Sequence, residues 1–367
     1  MIKGLYICEE FASLPGIEKK ILSQIRLMEQ NLGAMELVKI KYSFFEKLKN
    51  KLPYFSANYN QLKKIIPRIK EFNFIYIRKP SVLTKKFIQL INKVKELNPN
   101  IIILMEIPTY PYDNEIKMTL KNVFSLRKDK YWRDKLKPID RIVTFSKDKI
   151  IFGIKTITIS NGVDFNRVPL KNNNLKNNTI DLIGVASISE WHGYDRIITG
   201  MKNYENTNSH IDVKFHIVGD GNQDVLNTYR NMVKEYNLSD KVIFHGKLTG
   251  KDLDRVFDIS DIGVDALGRH RSNVYYNSSL KGKEYLARGV PIISGVETEL
   301  DDMKEFKAYM RVSANDNSID ITEVIQFYLS VLMKNIHPKD IREFGEQNFD
   351  FGKTMIPVIK FLSNRSK

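Results

Sequence analysis

The run KGKEYLARGVP, residues 281–291, predicts a helix that leads directly into a strand. Gly289 suits the position just past a helix end, where the chain commonly turns left-handed. Pro291 cannot continue a helix, and it opens the apolar strand Val290–Ile293. A helix that leads into an apolar strand is one step of an alternating α/β pattern, in which helices cover both faces of a parallel sheet.

The same alternation extends outward through both halves of the chain. In the second half we predict the strands Ile180–Val185, Val213–Val218, Val242–His245 and Ile262–Val264 before Val290–Ile293. The first half has its own set, and the polar run Lys171–Asn178 separates the two as a linker. The first-half strands are Gly4–Cys8, Glu36–Tyr42, Phe74–Ile77, Ile101–Met105, Arg141–Thr144 and Thr156–Ile159. Each half is therefore expected to be a doubly wound unit, with ligands beyond the carboxyl ends of its strands.

Composition excludes several classes of protein. An apolar fraction of 42% is too high for a disordered chain of 367 residues. The single cysteine, Cys8, excludes an intramolecular disulfide and fits a reducing compartment. We expect no signal peptide, because Met1 leads straight into the strand-like Ile2–Ile7, and no apolar run approaches the roughly 20 residues of a membrane span. A cytoplasmic protein is the expectation.

The chain is strongly basic, with a formal net charge of +15. Nucleic acid, an anionic membrane face or phosphorylated small molecules would explain such a charge, but no nucleic-acid-binding motif is present. Lys39–Glu71 holds nine basic residues against two acids. Its interleaved aromatic residues favour peripheral membrane binding, while a solvated lysine-rich face over core aromatics explains the pattern equally well. These aromatics are Tyr42, Phe44, Phe45, Tyr54, Phe55 and Tyr59.

Two loops at predicted strand ends carry turn residues. Ser160–Asp164, with the sequence SNGVD, follows a strand at the end of the first half, and its Asn-Gly pair favours positive φ. Gly219, Asp220 and Gly221 follow the strand Phe215–Val218. Glycines at a strand end let backbone N–H groups approach a phosphate closely, and they are equally typical of a tight turn.

With residues 281–291, these two loops resemble the corresponding phrases of glycosyltransferase family 4, in the family's order and spacing. The resemblance implies an α/β GT-B fold, in which two Rossmann-like domains face each other across a cleft. It implies that residues 1–165 bind the acceptor and 166–345 bind a nucleotide-sugar, with residues 346–367 forming a C-terminal helix that crosses back to the first domain. It also implies retention at the anomeric carbon, no metal and no other cofactor.

Glu284 resembles the second of the family's paired glutamates, which implies hydrogen bonds to ribose hydroxyls. The position of the first glutamate, eight residues earlier, is Tyr276 here. Other groups must therefore contact the sugar, and the free N–H groups at the start of this helix would favour the donor diphosphate. The candidates are Asn277, Ser278, Ser279 and Leu280.

The cations that grip the diphosphate in the family also differ. Val185 and Ala186 stand near the usual arginine position, and His192 stands at the lysine position. We expect His192 to donate hydrogen bonds to phosphate, with Arg196 and Lys247 as alternative cations.

Three further features lie in the first half. Glu106 takes the strand-end place where many relatives carry a histidine, which favours contact with acceptor or sugar hydroxyls. The aromatic-proline run at 108–112 suits stacking against a sugar ring or forms a rigid loop. Gly16 retains one glycine of the family's glycine-rich loop before the first helix.

The function expected is transfer of a sugar from a nucleotide-diphosphate donor, a UDP-sugar, to a glycan or lipid-linked acceptor in bacterial surface polysaccharide or glycoconjugate synthesis. Attack by the acceptor on the front face, assisted by a donor phosphate oxygen, follows from the resemblance. Because Tyr276 and Val185 remove expected contacts, a non-catalytic partner in a homo- or hetero-oligomer stays open. A sugar-nucleotide epimerase is disfavoured, since only His192 is placed for acid–base chemistry.

Overall fold

The computed structural model describes residues 2–10, 15–52, 54–113, 120–172, 178–207 and 211–365. The chain divides into two compact units. The first comprises Met1–Ser160 with Thr354–Lys367, and the second comprises Asn161–Lys353. Each unit is built on its own sheet with helices on both sides, so the predicted fold of two parallel-sheet α/β domains is confirmed.

The first unit contains a seven-stranded sheet in the order β2-β1-β3-β4-β5-β7-β6. All its pairs are parallel except β6 with β7. Its elements are β1 (Ile2–Glu9), α1 (Pro15–Asn31), β2 (Gly33–Ile40), α2 (Phe44–Lys51), α3 (Asn60–Ile65), β3 (Phe74–Arg78), α4 (Lys85–Leu97), β4 (Ile102–Ile107), α5 (Leu120–Arg133), β5 (Arg141–Thr144), β6 (Ile150–Ile151) and β7 (Ile154–Thr158). The central strands β3 and β4 are buried along their whole length, as parallel strands covered on both faces must be.

The second unit contains a six-stranded, all-parallel sheet in the order β10-β9-β8-β11-β12-β13. Apolar clusters cover both of its faces. Its elements are β8 (Thr179–Val185), α6 (Tyr194–Glu205), β9 (Asp212–Val218), α7 (Gln223–Glu235), β10 (Val242–Gly246), α8 (Gly250–Asp258), β11 (Ile262–Val264), α9 (Leu280–Arg288), β12 (Ile292–Ser294), β13 (Tyr309–Arg311), α10 (Ile321–Met333), α11 (Pro338–Phe349) and α12 (Phe351–Thr354).

The last helix, α13 (Ile356–Arg365), belongs to the first unit. Met355, Val358 and Leu362 are buried there, at the three- and four-residue spacing of one helix face. Ile356 lies off that face and is 41% exposed, although its apolar side chain had suggested burial. Among the described residues, no helix has the length and apolarity that crossing a bilayer requires.

The boundary between the units falls earlier than predicted. The Asn161 N–H donates to Ser278 Oγ at 2.7 Å, so the SNGVD loop is attached to the second unit. Lys171 is buried, and its ammonium donates to the Ser260 carbonyl. The start of the predicted linker is therefore part of the second unit, and residues 173–177 lie outside the described residues.

Candidate functional site

The loops at the carboxyl ends of β8, β9, β10 and β11 are hydrogen-bonded to one another. Ile188 N–H donates to the Asp220 carbonyl at 2.9 Å, and Gly219 N–H donates to the Gly246 carbonyl at 2.7 Å. The Leu267 N–H donates to the His192 carbonyl at 2.9 Å. These bonds bring the β8, β9, β10 and β11 loops together at one edge of the second sheet, where ligands of open α/β sheets bind.

The start of α9 is fixed by two serines. Ser279 Oγ accepts from the Gly282 N–H at 3.2 Å, as a helix N-cap does, and donates to Asp265 Oδ1 at 2.8 Å. Ser278 Oγ accepts from the Asn161 N–H, and the Ser278 carbonyl accepts from the Asn161 amide at 2.6 Å. Both hydroxyls are thus engaged in holding the helix start, which is a different role from the sugar contact predicted for them.

The neighbouring candidates Asn277 and Leu280 lie on either side of those serines. The Asn277 N–H donates to the Glu297 carbonyl at 2.8 Å, which fixes the loop before the helix. Leu280 is the first residue of α9 and is 41% exposed. Its exposure leaves the N-terminal end of the helix, with its partial positive charge, open at this side.

The charges of three basic side chains act on one another near this helix start. Burial lowers the pKa of the Lys281 ammonium to about 8, with Arg269 lowering it further and Asp265 opposing the shift. Arg269 is only 9% exposed, and its guanidinium lies 5.7 Å from the centre of the Trp191 ring. Burial and then the Lys281 and Arg269 charges hold the pKa of His192 well below its usual value. Asp265 is the carboxylate that acts on Lys281, and Lys281 and Arg269 both bring positive charge to the start of α9.

The His192 ring is held by the backbone of Ser189. It is 3% exposed, and its Nδ1 lies 2.9 Å from the Ser189 amide nitrogen and 3.2 Å from the Ser189 carbonyl oxygen. Because the pKa of the imidazole lies well below its usual value, His192 is a neutral ring with one N–H at neutral pH.

The two glycines of the Gly219–Gly221 loop are required by close packing against the loop after β8. Gly219 has φ +131°, and a Cβ there would lie 1.8 Å from the Ala186 carbonyl oxygen. A Cβ on Gly221 would lie 2.2 Å from the Ile188 carbonyl oxygen. Between them, the exposed Asp220 carboxylate accepts from the Gly221 N–H at 2.8 Å. The loop is thus a tight turn in which the Gly219 and Gly221 amides donate within the protein.

Two predicted donor contacts remain open to solvent. The Glu284 side chain is 36% exposed, and its carboxylate lies 3.6 Å from Arg288 Nε, one helical turn on. Arg288 is held at its other end by Asp254 at 2.8 Å. Lys247 is exposed directly after β10. Both side chains can therefore reach a ligand from the positions that the sequence suggested.

Tyr276 stands where the resemblance described above predicts a glutamate. Burial raises the pKa of its phenol, and Glu299, Asp302, Glu297 and Asp301 raise it further. The phenol is therefore a neutral hydrogen-bonding group at neutral pH. Its backbone forms an isolated parallel bridge with Glu297, so acidic side chains lie near the position even though residue 276 itself is not one.

Arg196 does not join the cluster. Its guanidinium donates to the carbonyls of Asn317 at 2.7 Å, Leu267 at 2.6 Å and Ser313 at 3.0 Å. The side chain is 3% exposed. These bonds tie α6 to two loops of the second unit, so the guanidinium has no orientation left for a phosphate, and Arg196 is removed from the candidate site.

Glu106 is not a site residue either. The side chain is completely buried, with Arg78 Nη1 at 2.5 Å and Lys20 Nζ at 3.5 Å from its carboxylate. Tyr76 Oη and Gln24 Nε2 both donate to it at 2.7 Å. Burial raises the pKa of this carboxyl, but the two cations and two donors outweigh it and hold the pKa at about 2. Glu106 is therefore a satisfied internal anion, and the prediction that it contacts substrate is corrected.

The aromatic-proline run at 108–112 is held by its own unit. Tyr112 Oη donates to Asp129 at 2.6 Å, and the Lys79 ammonium and Arg133 guanidinium lie 4.4 and 4.5 Å from its ring centre. Two cations already use this ring, which favours the rigid-loop interpretation over sugar stacking. Gly16 lies in the first turn of α1, and residues 11–14 of the loop before it lie outside the described residues.

Sequence reasoning missed Lys281 and Arg269, the two cations near the start of α9. A signal was present for Lys281, because a lysine in the first turn of a helix opposes the helix dipole unless an anion is nearby. Arg269 follows the predicted strand Ile262–Val264 but matches no phrase of the family. Among the described residues, no group of three His, Cys, Asp or Glu side chains could hold a metal ion.

Part of the second unit matches a known protein family. Residues 169–297 match the family model described as "Glycosyl transferases group 1". This segment contains the loops after β8 to β11 and the whole of α9. Among proteins of curated function, none matches the chain significantly.

Solved structures match over the whole chain. A glycosyltransferase from Rickettsia africae covers 100% of this chain and 99% of its own, with a TM-score of 0.69 at 13% identity. HepE of Anabaena, solved with UDP and glucose, covers 99% of this chain and 100% of its own, with a TM-score of 0.65 at 14% identity. Sucrose-phosphate synthase from Thermosynechococcus elongatus gives the same coverage and identity, with a TM-score of 0.62. The chain thus has the fold of GT-B glycosyltransferases, and its second unit contains a Glycosyl transferases group 1 domain.

Proposed function

We propose that the protein is a glycosyltransferase that binds a nucleotide-diphosphate sugar on its second unit. The observation that carries this proposal is the cluster of Lys281, Arg269 and His192 at the start of α9, inside the segment that matches the group 1 family model. Positive charge on the half-buried Lys281 and the buried Arg269 favours a multiply charged anion, and a diphosphate next to a helix N-terminus fits both the charge and the position.

The same cluster suits the chemistry of sugar transfer. Negative charge builds on the diphosphate as the bond to the anomeric carbon breaks. Lys281 and Arg269 would stabilise that charge in a partly desolvated site, where fixed donors act more strongly than in water. His192 would contribute as a neutral imidazole, without changing its protonation state. Glu284, five residues after Ser279 on α9, would accept from the ribose hydroxyls.

The finer features of the proposal rest on the family resemblance. We propose a UDP-sugar as donor, since HepE, a structural neighbour, was solved with UDP and glucose. We also propose retention at the anomeric carbon through front-face attack, without metal. The acceptor is a glycan or lipid-linked sugar of surface polysaccharide or glycoconjugate synthesis, bound by the first unit.

Titration calorimetry with UDP tests the nucleotide site. Replacing Glu284 with Ala should weaken UDP binding by roughly 1.5–3 kcal/mol, because it removes charge-assisted hydrogen bonds to the ribose. Glu235→Ala, an exposed glutamate on α7, is the matched control and should bind like the wild type. Equal affinity of a folded Glu284→Ala protein and the control would refute the ribose contact.

A second candidate is a non-catalytic GT-B subunit that binds a nucleotide-sugar without turning it over. Tyr276 favours it, because a neutral phenol stands where the family carries a sugar-binding carboxylate. Hydrolysis of a panel of nucleotide-sugars by the isolated protein separates the two. Release of nucleoside diphosphate supports the enzyme, and binding without release supports the partner subunit.

A further inference from the structure

The first unit displays an unusual number of aromatic side chains to solvent. Large apolar residues exposed singly are normal, but a group of them at one place indicates a contact surface. We name this group the aromatic surface. It comprises Phe44 (77% exposed), Phe45 (72%), Tyr54 (96%), Phe55 (53%), Phe124 (40%) and Tyr131 (62%).

The aromatic surface is formed by α2, the loop after it and one side of α5. Helices α2 and α5 pack against each other, so side chains distant in sequence share one region. One of the aromatic residues that the sequence suggested for membrane contact is excluded, because Tyr59 is 1% exposed and belongs to the core. The structure also removes Arg68 from the free cations, since its guanidinium pairs with Glu36 and Glu71.

A buried lysine holds the loop of this surface in place. The Lys128 ammonium donates to the carbonyl oxygens of Asn50, Leu52 and Phe55. Burial lowers the pKa of this lysine to about 8. Asn50 is itself buried, and its side chain accepts from the Ala57 N–H at 2.7 Å. Because the backbone of the loop is fixed from inside, Tyr54 and Phe55 are presented to solvent in a defined position.

Basic side chains accompany the aromatic rings. Lys47 and Lys49 are exposed on α2, and Lys85 and Arg127 are exposed beside a groove of about 600 Å³ that Tyr54, Phe124 and Tyr131 also line. The one acid of α2, Glu46, is occupied at its helix start, where it accepts from the Ser43 N–H at 3.0 Å. The charge of this region is therefore positive, and the exposed cations are interleaved with exposed rings.

We propose that the aromatic surface docks the first unit on an anionic lipid bilayer. Aromatic rings are favoured at the headgroup level, and basic residues near the surface are attracted by anionic lipid. A protein partner of ordinary composition would leave these cations unpaired, whereas a leaflet of anionic phospholipid pairs with them all. The docking is argued from exposure and charge alone. Only its biological role, which is to bring the first unit to a lipid-linked acceptor, rests on the proposed function.

Vesicle flotation tests the proposal without any sugar or nucleotide. The full chain is mixed with phosphatidylcholine vesicles that contain or lack phosphatidylglycerol, across a salt series. We expect binding to the anionic vesicles at low salt that falls as salt increases. The double variant Phe44→Ser with Phe45→Ser should bind at least tenfold more weakly, and Lys47→Glu with Lys49→Glu should lose about fivefold or more for each charge.

Matched controls come from the second unit. Met333→Ser removes a 76% exposed apolar side chain, and Lys234→Glu with Lys339→Glu reverses two exposed charges. Both controls should float like the wild type. The proposal is overturned by absence of binding at low salt, or by aromatic variants that bind as well as the controls. It is also overturned if the wild type is a dimer in solution that Phe44→Ser with Phe45→Ser converts to monomers, since the surface then joins two copies. Nucleotide-sugar hydrolysis in solution should be unchanged in every variant, so its loss would count against the proposed function and not against docking.

Discussion

Lys20 and Lys281 occupy comparable places in the two units but differ in their partners. Each lies in the first two turns of a helix at the carboxyl edge of a parallel sheet, and burial lowers the pKa of each to about 8. Lys20 and its neighbour Arg78 both pair with Glu106. The Lys281 ammonium has no carboxylate at salt-bridge distance in the described part of the chain, and Arg269 adds a second positive charge near it.

The difference separates an internal ion network from a binding site. In the first unit Lys20 and Arg78 both contact Glu106 directly, so the network is an internal set of ion pairs that stabilises the fold. In the second unit the Lys281 ammonium has no such internal pair among the described residues, so an external anion can take that place. Low pKa values alone do not distinguish these roles, because both lysines have them.

The largest expected effect comes from breaking the first network. Glu106→Gln leaves Lys20 and Arg78 without their buried counter-ion, which should lower the free energy of unfolding by about 3–5 kcal/mol. The folded pKa of about 2 lies below the usual 4.5. The ionised carboxylate therefore adds stability above pH 4.5, and that stability is lost as the pH falls from 4.5 to 2. Urea denaturation across that range should show a larger loss in the wild type than in the variant, which keeps only the contribution of other carboxyls with a lowered pKa, such as Asp129.

Glu96→Gln is the control for this measurement, because Glu96 is exposed in a surface pair with Lys93. Its unfolding free energy should change by less than about 0.5 kcal/mol. A Glu106→Gln protein as stable as this control would show that the network is not structural.

The next effect is on the second cluster. Lys281→Gln should weaken UDP binding by about 1.5–3 kcal/mol, since a charged donor to phosphate is lost. Because the pKa of Lys281 is about 8, its ammonium loses its proton above that pH, and wild-type affinity should fall about tenfold for each further pH unit. Calorimetry from pH 7 to 9.5 measures both. Lys20→Gln is the mirror variant, which should lose stability while a folded sample keeps its UDP affinity.

The smallest effect concerns His192. Replacing it with Ala removes one neutral donor, so turnover of the nucleotide-sugar should fall about fivefold to tenfold, or roughly 1 kcal/mol. Its pKa lies well below 6.5, so this residue should add no pH dependence to the rate between pH 6 and 8. A rate that rises as the pH falls through 6.5 would contradict the neutral assignment. If the variant keeps wild-type turnover, the phosphate contact is assigned to Lys247 and not to His192.

Much of the fold could be predicted from sequence, because it depends on local patterns. Apolar runs such as Ile101–Met105 give the strands, and Gly289 in the left-handed region ends α9 as its sequence indicated. A location at the end of a predicted strand was a poorer guide to which residues bind a ligand. Glu106 and Arg196 both follow the right elements, but one is neutralised inside the sheet and the other binds backbone carbonyls.

The candidate site was only partly predictable for the same reason. A sequence places a charged residue near a strand end but does not give the charges that pack around it from distant segments. Lys281 and Arg269 become a pair only once the loop after β11 folds back to the start of α9. Side-chain exposure could not be predicted from the sequence either. Tyr54 and Tyr59 lie in the same short segment, yet they are 96% and 1% exposed.

The position of α13 in the first unit has a consequence for the order in which the protein is made. The ribosome delivers the first unit's sheet, then all of Asn161–Lys353, and only then Met355, Val358 and Leu362, which become buried in the first unit. During synthesis the second unit has its complete sequence while the first still lacks a piece of its core. The N-terminal part of this chain therefore emerges early and reaches its final packing last.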